Sequence, residues 1–207
     1  MTTSRRPVGS GARLTVKGAR TRARIVDAAA ELMALRGVTE TSVEEVKKAA
    51  EVSSSQLYHY FADKSALVEA VIDRQAQMIV AAQEQVGPGT LEGLRVWRDG
   101  LIAHARHVSG AGGCPLGHLA GQLVETDENA RLRLAEGFRQ WATVLRRTCR
   151  ELHRTGGLTA DVEPDQLADT LLATLQGGLL LSQVQRDTAP LETGIDTLLT
   201  LSVTGWS

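Results

Sequence analysis

Two capping boxes, eleven residues apart, constrain this chain more than any other feature. Ser42 is followed three residues on by Glu45, and Ser53 by Gln56. In each pair a hydroxyl accepts from an otherwise unpaired amide at the start of a helix, while the longer side chain reaches back to the cap residue's own N–H. One helix therefore runs from about Val43 to Ala50 and a second from about Ser54 to Tyr60, with a three- or four-residue turn between them. Thr41 with Glu44 offers the same device one residue earlier, and Asp63 offers a cap for a longer helix from Lys64 to about Gln85. Helices this short bury little alone. Val43, Val46, Ala50, Val52, Leu57 and Phe61 need covers, which flanking helices over 20–36 and 64–85 supply.

Helical spacing also organises the rest. Ile25, Ala28, Ala29, Leu32 and Met33 recur at three- and four-residue steps from Ala19 onward, and the run stops at Gly37, a fitting residue just past a helix end. Leu67, Val71 and Met78 lie along the helix that Gly87-Pro88-Gly89 breaks. Further helical stretches fall near 90–108, 115–125, 127–154, 164–186 and 190–203, with Gly-Gly turns at 112–113 and 156–157. Val, Ile and Thr never gather into alternating runs, so the fold class is all-α.

Hydrophobic residues make up 43% of the 207 and charged residues 23%, values of a soluble globular chain. No apolar run approaches the ~18–20 residues that span a bilayer, no signal peptide is apparent, and two cysteines suit a reducing compartment. The expectation is a cytoplasmic protein without membrane contact. The net charge of −1 hides an asymmetry: Arg5, Arg6, Arg13, Lys17, Arg20, Arg22 and Arg24 all precede the first acidic residue, Asp27. A basic end suits contact with a polyanion, although a solvated tail accounts for residues 1–18 equally well.

With its apolar side covered, the second short helix leaves Ser54, Ser55, Gln56, Tyr58 and His59 outward. Short hydroxyls, an amide and aromatics suit base edges in a major groove and nearby phosphates. Of seven aromatic residues in the chain, Tyr58, Tyr60 and Phe61 fall within four positions. The segment resembles the helix-turn-helix of the TetR family, whose pattern runs roughly T-[ST]-V-x-x-I-A-x-x-A-G-V-S-x-x-x-L-Y-x-[HY]-F-x-x-K-x-x-L. It is met here by Thr41, Ser42, Val43, Val46, Ala50, Val52, Ser53, Leu57, Tyr58, Tyr60, Phe61, Lys64 and Leu67. The resemblance implies a flexible basic arm over 1–18, a three-helix DNA-binding domain over 19–63, and a helical-bundle body over 64–207 for ligand binding and dimerisation. It also implies that Ser54, Ser55, Gln56, Tyr58 and His59 meet bases or nearby backbone, and that Ser42, Tyr60 and Lys64 hold phosphates of a double-stranded, palindromic operator. Two positions depart from the pattern. Glu51 replaces the turn glycine, where a left-handed backbone costs about 1 kcal/mol, and Lys47 replaces a small buried alanine, so its stem must lie along the core. Gln56 is claimed both by its capping box and by base contact.

For the body, the resemblance implies a homodimer paired through two helices per subunit, for which the stripes over 127–154 and 164–186 are the candidates, the latter with Leu167, Leu171, Leu175, Leu179, Leu180 and Gly177-Gly178. It also implies release of DNA by a small-molecule effector through a swing of the 64–85 helix. Candidate lining residues are Trp97, His104, Cys114, His118, Gln122, Trp141 and Gln176, with Met78, Leu101 and Phe138 beside them; each is also an ordinary core residue. Pro115 suits a first helical turn and puts Cys114 at the cap, where a thiol meets unpaired amides. The Gly-Cys-Pro-Leu-Gly stretch resembles a subset of TetR-like regulators, some of which sense electrophiles or oxidants through this cysteine; the alternative is a small buried residue at a tight entry. Cys149 reads as packing. His104, His107, Cys114 and His118 match no compact zinc signature, and no cofactor loop is present. The alternatives are a ligand-binding relative that has lost operator binding, and a helical Cys/His enzyme, for which Cys114 and His118 lack a clear third partner.

Overall fold

A computed structural model describes residues 15–84, 89–107 and 112–206. They form α1 (Val16–Arg36), α2 (Val43–Ala49), α3 (Ser54–Tyr60), α4 (Lys64–Glu84), α5 (Leu91–His107), α6 (Pro115–Leu123), α7 (Glu128–Arg154), α8 (Pro164–Gln185) and α9 (Ala189–Ser202). The chain is all-α, with no strand among the described residues. An isolated bridge between Leu158 and Val203 ties the α7–α8 link to the end of α9.

Local chemistry sets the ends of the head helices. Both boxes close: Ser42 Oγ accepts from Glu45 N at 3.2 Å while Glu45 Oε2 accepts from Ser42 N at 2.9 Å, and Ser53 Oγ with Gln56 does likewise. The earlier Thr41–Glu44 box does not form, because Thr41 is buried and its hydroxyl donates to the Gly37 carbonyl at 2.8 Å. Asp63 Oδ1 caps α4 by accepting from Ala66 N at 2.8 Å. The α2–α3 turn passes through Glu51 at φ 50°, the left-handed conformation its sequence position anticipates. α1 begins at Val16, three residues ahead of Ala19, because Thr15 Oγ1 accepts from Gly18 N and caps an extra turn of exposed residues that carries no apolar periodicity. The rest of the basic arm, residues 1–14, lies outside the described residues, as does most of the expected Gly87-Pro88-Gly89 break.

Ile25, Ala29 and Met33 of α1, Val46 of α2, Leu57 of α3 and Leu67 and Val71 of α4 are all buried, so the two short helices take their stability from the long ones. Each large apolar side chain removed from water contributes roughly 1.5–3 kcal/mol gross. The buried residues of head and body form one continuous cluster. α7 runs through its middle, burying Leu134, Trp141, Leu145, Cys149 and Leu152 between α4, α6 and α8. The α7 stripe is largely interior, and the apolar residues left open include Leu132 on α7, 53% exposed, Leu180 and Val184 on α8, 60% and 74% exposed, and Leu201 on α9. α8 and α9 pack closely because Gly178 has no side chain: a Cβ there would stand 2.8 Å from Leu191 Cα.

Candidate functional site

The head presents one outward face of α3. Ser54, Ser55, Gln56, Tyr58 and His59 are all exposed, Tyr58 by 54%, while Leu57 between them is buried. Phe61 closes the helix from beneath, with the Arg22 guanidinium 5.1 Å from its ring centre. Tyr60 is partly buried against the core, and its ring meets His59 edge-on at 4.8 Å. Because Gln56 Oε1 is held by Ser53 N–H, its amide NH2 is the end left to face solvent. The two claims on Gln56 are therefore compatible: the oxygen caps and the nitrogen stays free.

The expected phosphate holders are more committed. Ser42 Oγ accepts from Glu45 N and donates to its carboxylate at 2.8 Å. Lys64 Nζ donates to the Thr39 carbonyl at 3.1 Å, bracing the α1–α2 turn. Lys47 is partly buried, its ammonium pairing with Glu44 and donating to Ser54 Oγ at 3.1 Å. Ser42 backbone and hydroxyl donors, with Arg36 behind them, hold the Glu45 carboxyl below its ordinary range.

In the body, four of the nominated residues meet. Cys114, His118 and Gln122 on or beside α6 and Gln176 on α8 line one cavity of about 500 Å³, together with Leu180 and Gln183. Their spacing explains this: residues 114, 118 and 122 follow one face of α6 at four-residue steps. Cys114 is the α6 cap, its sulfur accepting from Gly117 N at 3.5 Å, with 7% of the residue exposed. His118 Nε2 and Gln176 Nε2 are buried with no hydrogen-bond partner among the described residues. Gln122 Oε1 instead accepts from Val38 N, in the head, at 2.7 Å.

The remaining candidates lie elsewhere. Trp97 faces a second, tighter and largely apolar space beside Cys149, and its indole donates to Gln83 at 2.6 Å. Burial pushes the Cys149 thiol up to about 12, in keeping with a packing role. His104 lines a groove between α1 and the body with Gln75, His118 and Arg186. Trp141 is buried in the core, its ring stacked 6.5 Å from that of Phe138. Met78 is exposed on α4. Gln183, which lines both the Cys114 cavity and the His104 groove, carried no local signal in the sequence. Among the described residues no group of three or more His, Cys, Asp or Glu is placed to hold a metal ion, and no helix is long and apolar enough to cross a membrane.

Comparison with known proteins bears on both halves. The model of bacterial regulatory proteins of the tetR family matches residues 25–71, and that of the tetracyclin repressor-like C-terminal domain matches residues 90–198. The chain is 28% identical to the HTH-type transcriptional repressor DhaR of Mycobacterium sp., over 83% of this chain and 86% of that one. It is 30% identical to an uncharacterized HTH-type transcriptional regulator of Mycobacterium tuberculosis over 83% and 88%, and 25% identical to the repressor NemR of Escherichia coli over 84% and 90%. These relatives are transcriptional regulators, not enzymes. The fold is shared with a regulatory protein TetR from Rhodobacter sphaeroides, at a TM-score of 0.77 and 23% identity over 88% and 99% of the two chains. It is shared too with the reduced form of E. coli NemR, at 0.76 and 23% over 91% and 100%.

Proposed function

Because this chain belongs to the TetR family of bacterial regulatory proteins, we propose that it is a homodimeric transcriptional repressor that grips a palindromic operator and lets go when a small molecule enters its body. The observation that carries this is the outward face of α3: five polar or aromatic side chains exposed on a helix anchored from beneath by the buried Leu57. Such a helix can enter a major groove, where Ser54, which accepts from Lys47, and Ser55, which pairs with Ser53, exchange those partners for the duplex. Ser54, Ser55, Tyr58, His59 and the Gln56 amide read bases or adjoining backbone. Ser42, Tyr60 and Lys64 flank them toward the phosphates, the lysine by exchanging the Thr39 carbonyl for a phosphate oxygen. The working division is a DNA-binding head over 19–63, a preceding basic arm, and a regulatory body over 64–207.

Dimerisation is assigned to α8 and α9. Gly177, Leu180, Leu181 and Val184 follow one another at helical spacing and are exposed, as is Leu201, and two copies pairing these rows would bury them and set two heads on one duplex. The effector site is the cavity of Cys114, His118, Gln122 and Gln176. Cys114, in its Gly-Cys-Pro-Leu-Gly stretch, makes a thiol-reactive effector the favoured class.

The test is fluorescence anisotropy of a labelled duplex from upstream of the chain's own gene, titrated with protein at several salt concentrations. A repressor binds it tightly, more weakly as salt rises, and Gln56→Ala relaxes preference at one base position. A chain that ignores every upstream duplex while still taking ligand is instead a relative that has lost operator binding. Release by a thiol-directed electrophile that persists in Cys114→Ser would remove the cysteine from the account.

A further inference from the structure

Gln122 belongs at once to the cavity in the body and to the turn that opens the head. Its Oε1 accepts from Val38 N at 2.7 Å, across 84 residues of sequence. The approach is tight on the head side as well: Gly37, at φ 87°, leaves room that a Cβ would fill, standing 2.9 Å from that same oxygen. A backbone N–H can be matched only by the oxygen of the amide, so the Gln122 NH2 is turned back toward the body. There it has a single long contact, 3.4 Å to the His118 carbonyl. Val38 is itself buried, and the turn it sits in is braced again by Lys64 on Thr39 and by Thr41 on Gly37.

The cavity behind Gln122 has an unbalanced polar lining. His118 Nε2 and Gln176 Nε2 are buried without partners among the described residues, and the Gln122 NH2 is barely engaged. The two amide nitrogens are donors, and the imidazole nitrogen is a third in its Nε2–H form. Donors left unengaged in the lining favour a guest that brings acceptors.

We propose that the cavity lined by His118, Gln122 and Gln176 binds a small molecule carrying a carboxylate or carbonyl oxygen, and that Gln122 reports its arrival to the head by releasing Val38. The Gln122 side chain cannot hold Val38 N–H and turn fully into the cavity at once. A guest oxygen that draws in the NH2 withdraws the oxygen from Val38, leaving that amide without its partner and freeing the turn that sets α1 against α2. The route runs through α6 and needs no movement of α4. It rests on the head being the DNA-binding unit and on this cavity being the effector site.

The experiment reads the Val38 amide directly, by hydrogen exchange in the ¹⁵N-labelled full chain. Without ligand, Gln122→Met, which keeps the stem and loses the oxygen, should exchange at Val38 roughly tenfold faster than the unmodified chain, the share of protection one buried hydrogen bond supplies. Gln122→Glu, which keeps an acceptor and loses the donor, should retain protection. Butyrate should shift the side-chain amide signals of Gln122 and Gln176 and speed Val38 exchange in the unmodified chain but not in Gln122→Glu; butylamine should do neither. Equal Val38 protection in the unmodified chain and Gln122→Met overturns the coupling, and so does butyrate acting equally on Gln122→Glu. Absence of any butyrate effect at saturating probe overturns the ligand class. If the Met variant fails to fold, the comparison between the unmodified chain and Gln122→Glu decides alone. None of these readouts involves DNA, so failure to bind any duplex would count against the repressor assignment and leave these outcomes standing.

Discussion

Replacing Glu51 with glycine should stabilise the head. Glu51 holds φ 50° in the turn between α2 and α3, where its backbone N–H donates to the Lys48 carbonyl at 3.2 Å. Its side chain is exposed and makes no hydrogen bond or ion pair among the described residues, so deleting it forfeits no contact. A left-handed backbone costs an L-residue about 1–2 kcal/mol that glycine escapes. Against this stands glycine's larger freedom in the unfolded chain, worth roughly 0.5–1 kcal/mol. The net is roughly 0–1.5 kcal/mol in favour of Glu51→Gly. In a chain of this size each kcal/mol raises Tm by roughly 2–4 °C, so the gain is a few degrees at most. Urea denaturation of the full chain followed by circular dichroism, with amide exchange across α2 and α3, measures it. Glu51→Ala removes the carboxylate but keeps the backbone cost, and Glu51→Asn, a residue that tolerates this conformation, should fall between Ala and Gly. If alanine stabilised as much as glycine, the charge and not the backbone would be responsible. If glycine destabilised, the turn would not be strained at all.

Leu57→Ala should cost about 2–5 kcal/mol, because the side chain is buried between exposed neighbours and its loss leaves a cavity under α3; urea midpoints measure it, and a cost under ~0.5 kcal/mol would mean that α3 is not anchored from below. Glu45 ties the head to pH. Its carboxyl is held below the ordinary 4.5, first by the Ser42 N–H, so the capping contribution is present above that value and lost as pH falls through the lower folded value. Protection of the Ser42 amide, taken relative to its intrinsic exchange rate at each pH, should fall over that acid window in the unmodified chain and show no such step in Glu45→Gln. A neutral-pH thiol reagent should label Cys114 before Cys149, whose thiol burial raises to about 12; equal rates in the folded chain would contradict the packing of Cys149.

What could be seen from sequence was what is held locally. Each head helix announces itself because Ser42, Ser53 and Asp63 bond to amides three residues away, a distance that periodicity and composition both register. α1 started early because its first turn is capped by Thr15 yet exposed, so no apolar rhythm marks it. The stripe of α7 was legible, but a stripe does not say whether it is covered from inside the subunit or by a second one; here α4 and α8 cover it. In the body, Cys114, His118 and Gln122 were readable together through helical spacing, whereas Trp97, His104 and Trp141 are set by tertiary packing and scatter. The bond from Gln122 to Val38 joins residues too distant in the chain for any local pattern to show.

Insertion of α3 into DNA by a pair of subunits is tested most directly by cutting the duplex from the helix itself. An iron chelate tethered to Ser55→Cys, in a chain whose Cys114 and Cys149 are replaced by serine, should cleave the upstream duplex in two clusters. These should be related by two-fold symmetry and separated by about 34–36 Å or a multiple of it, one for each head. A chelate on Leu180→Cys should leave the same duplex uncut. Uniform cleavage along the DNA, a single cluster, or stronger cutting from residue 180 than from residue 55 would contradict the assignment of α3 as the reading helix.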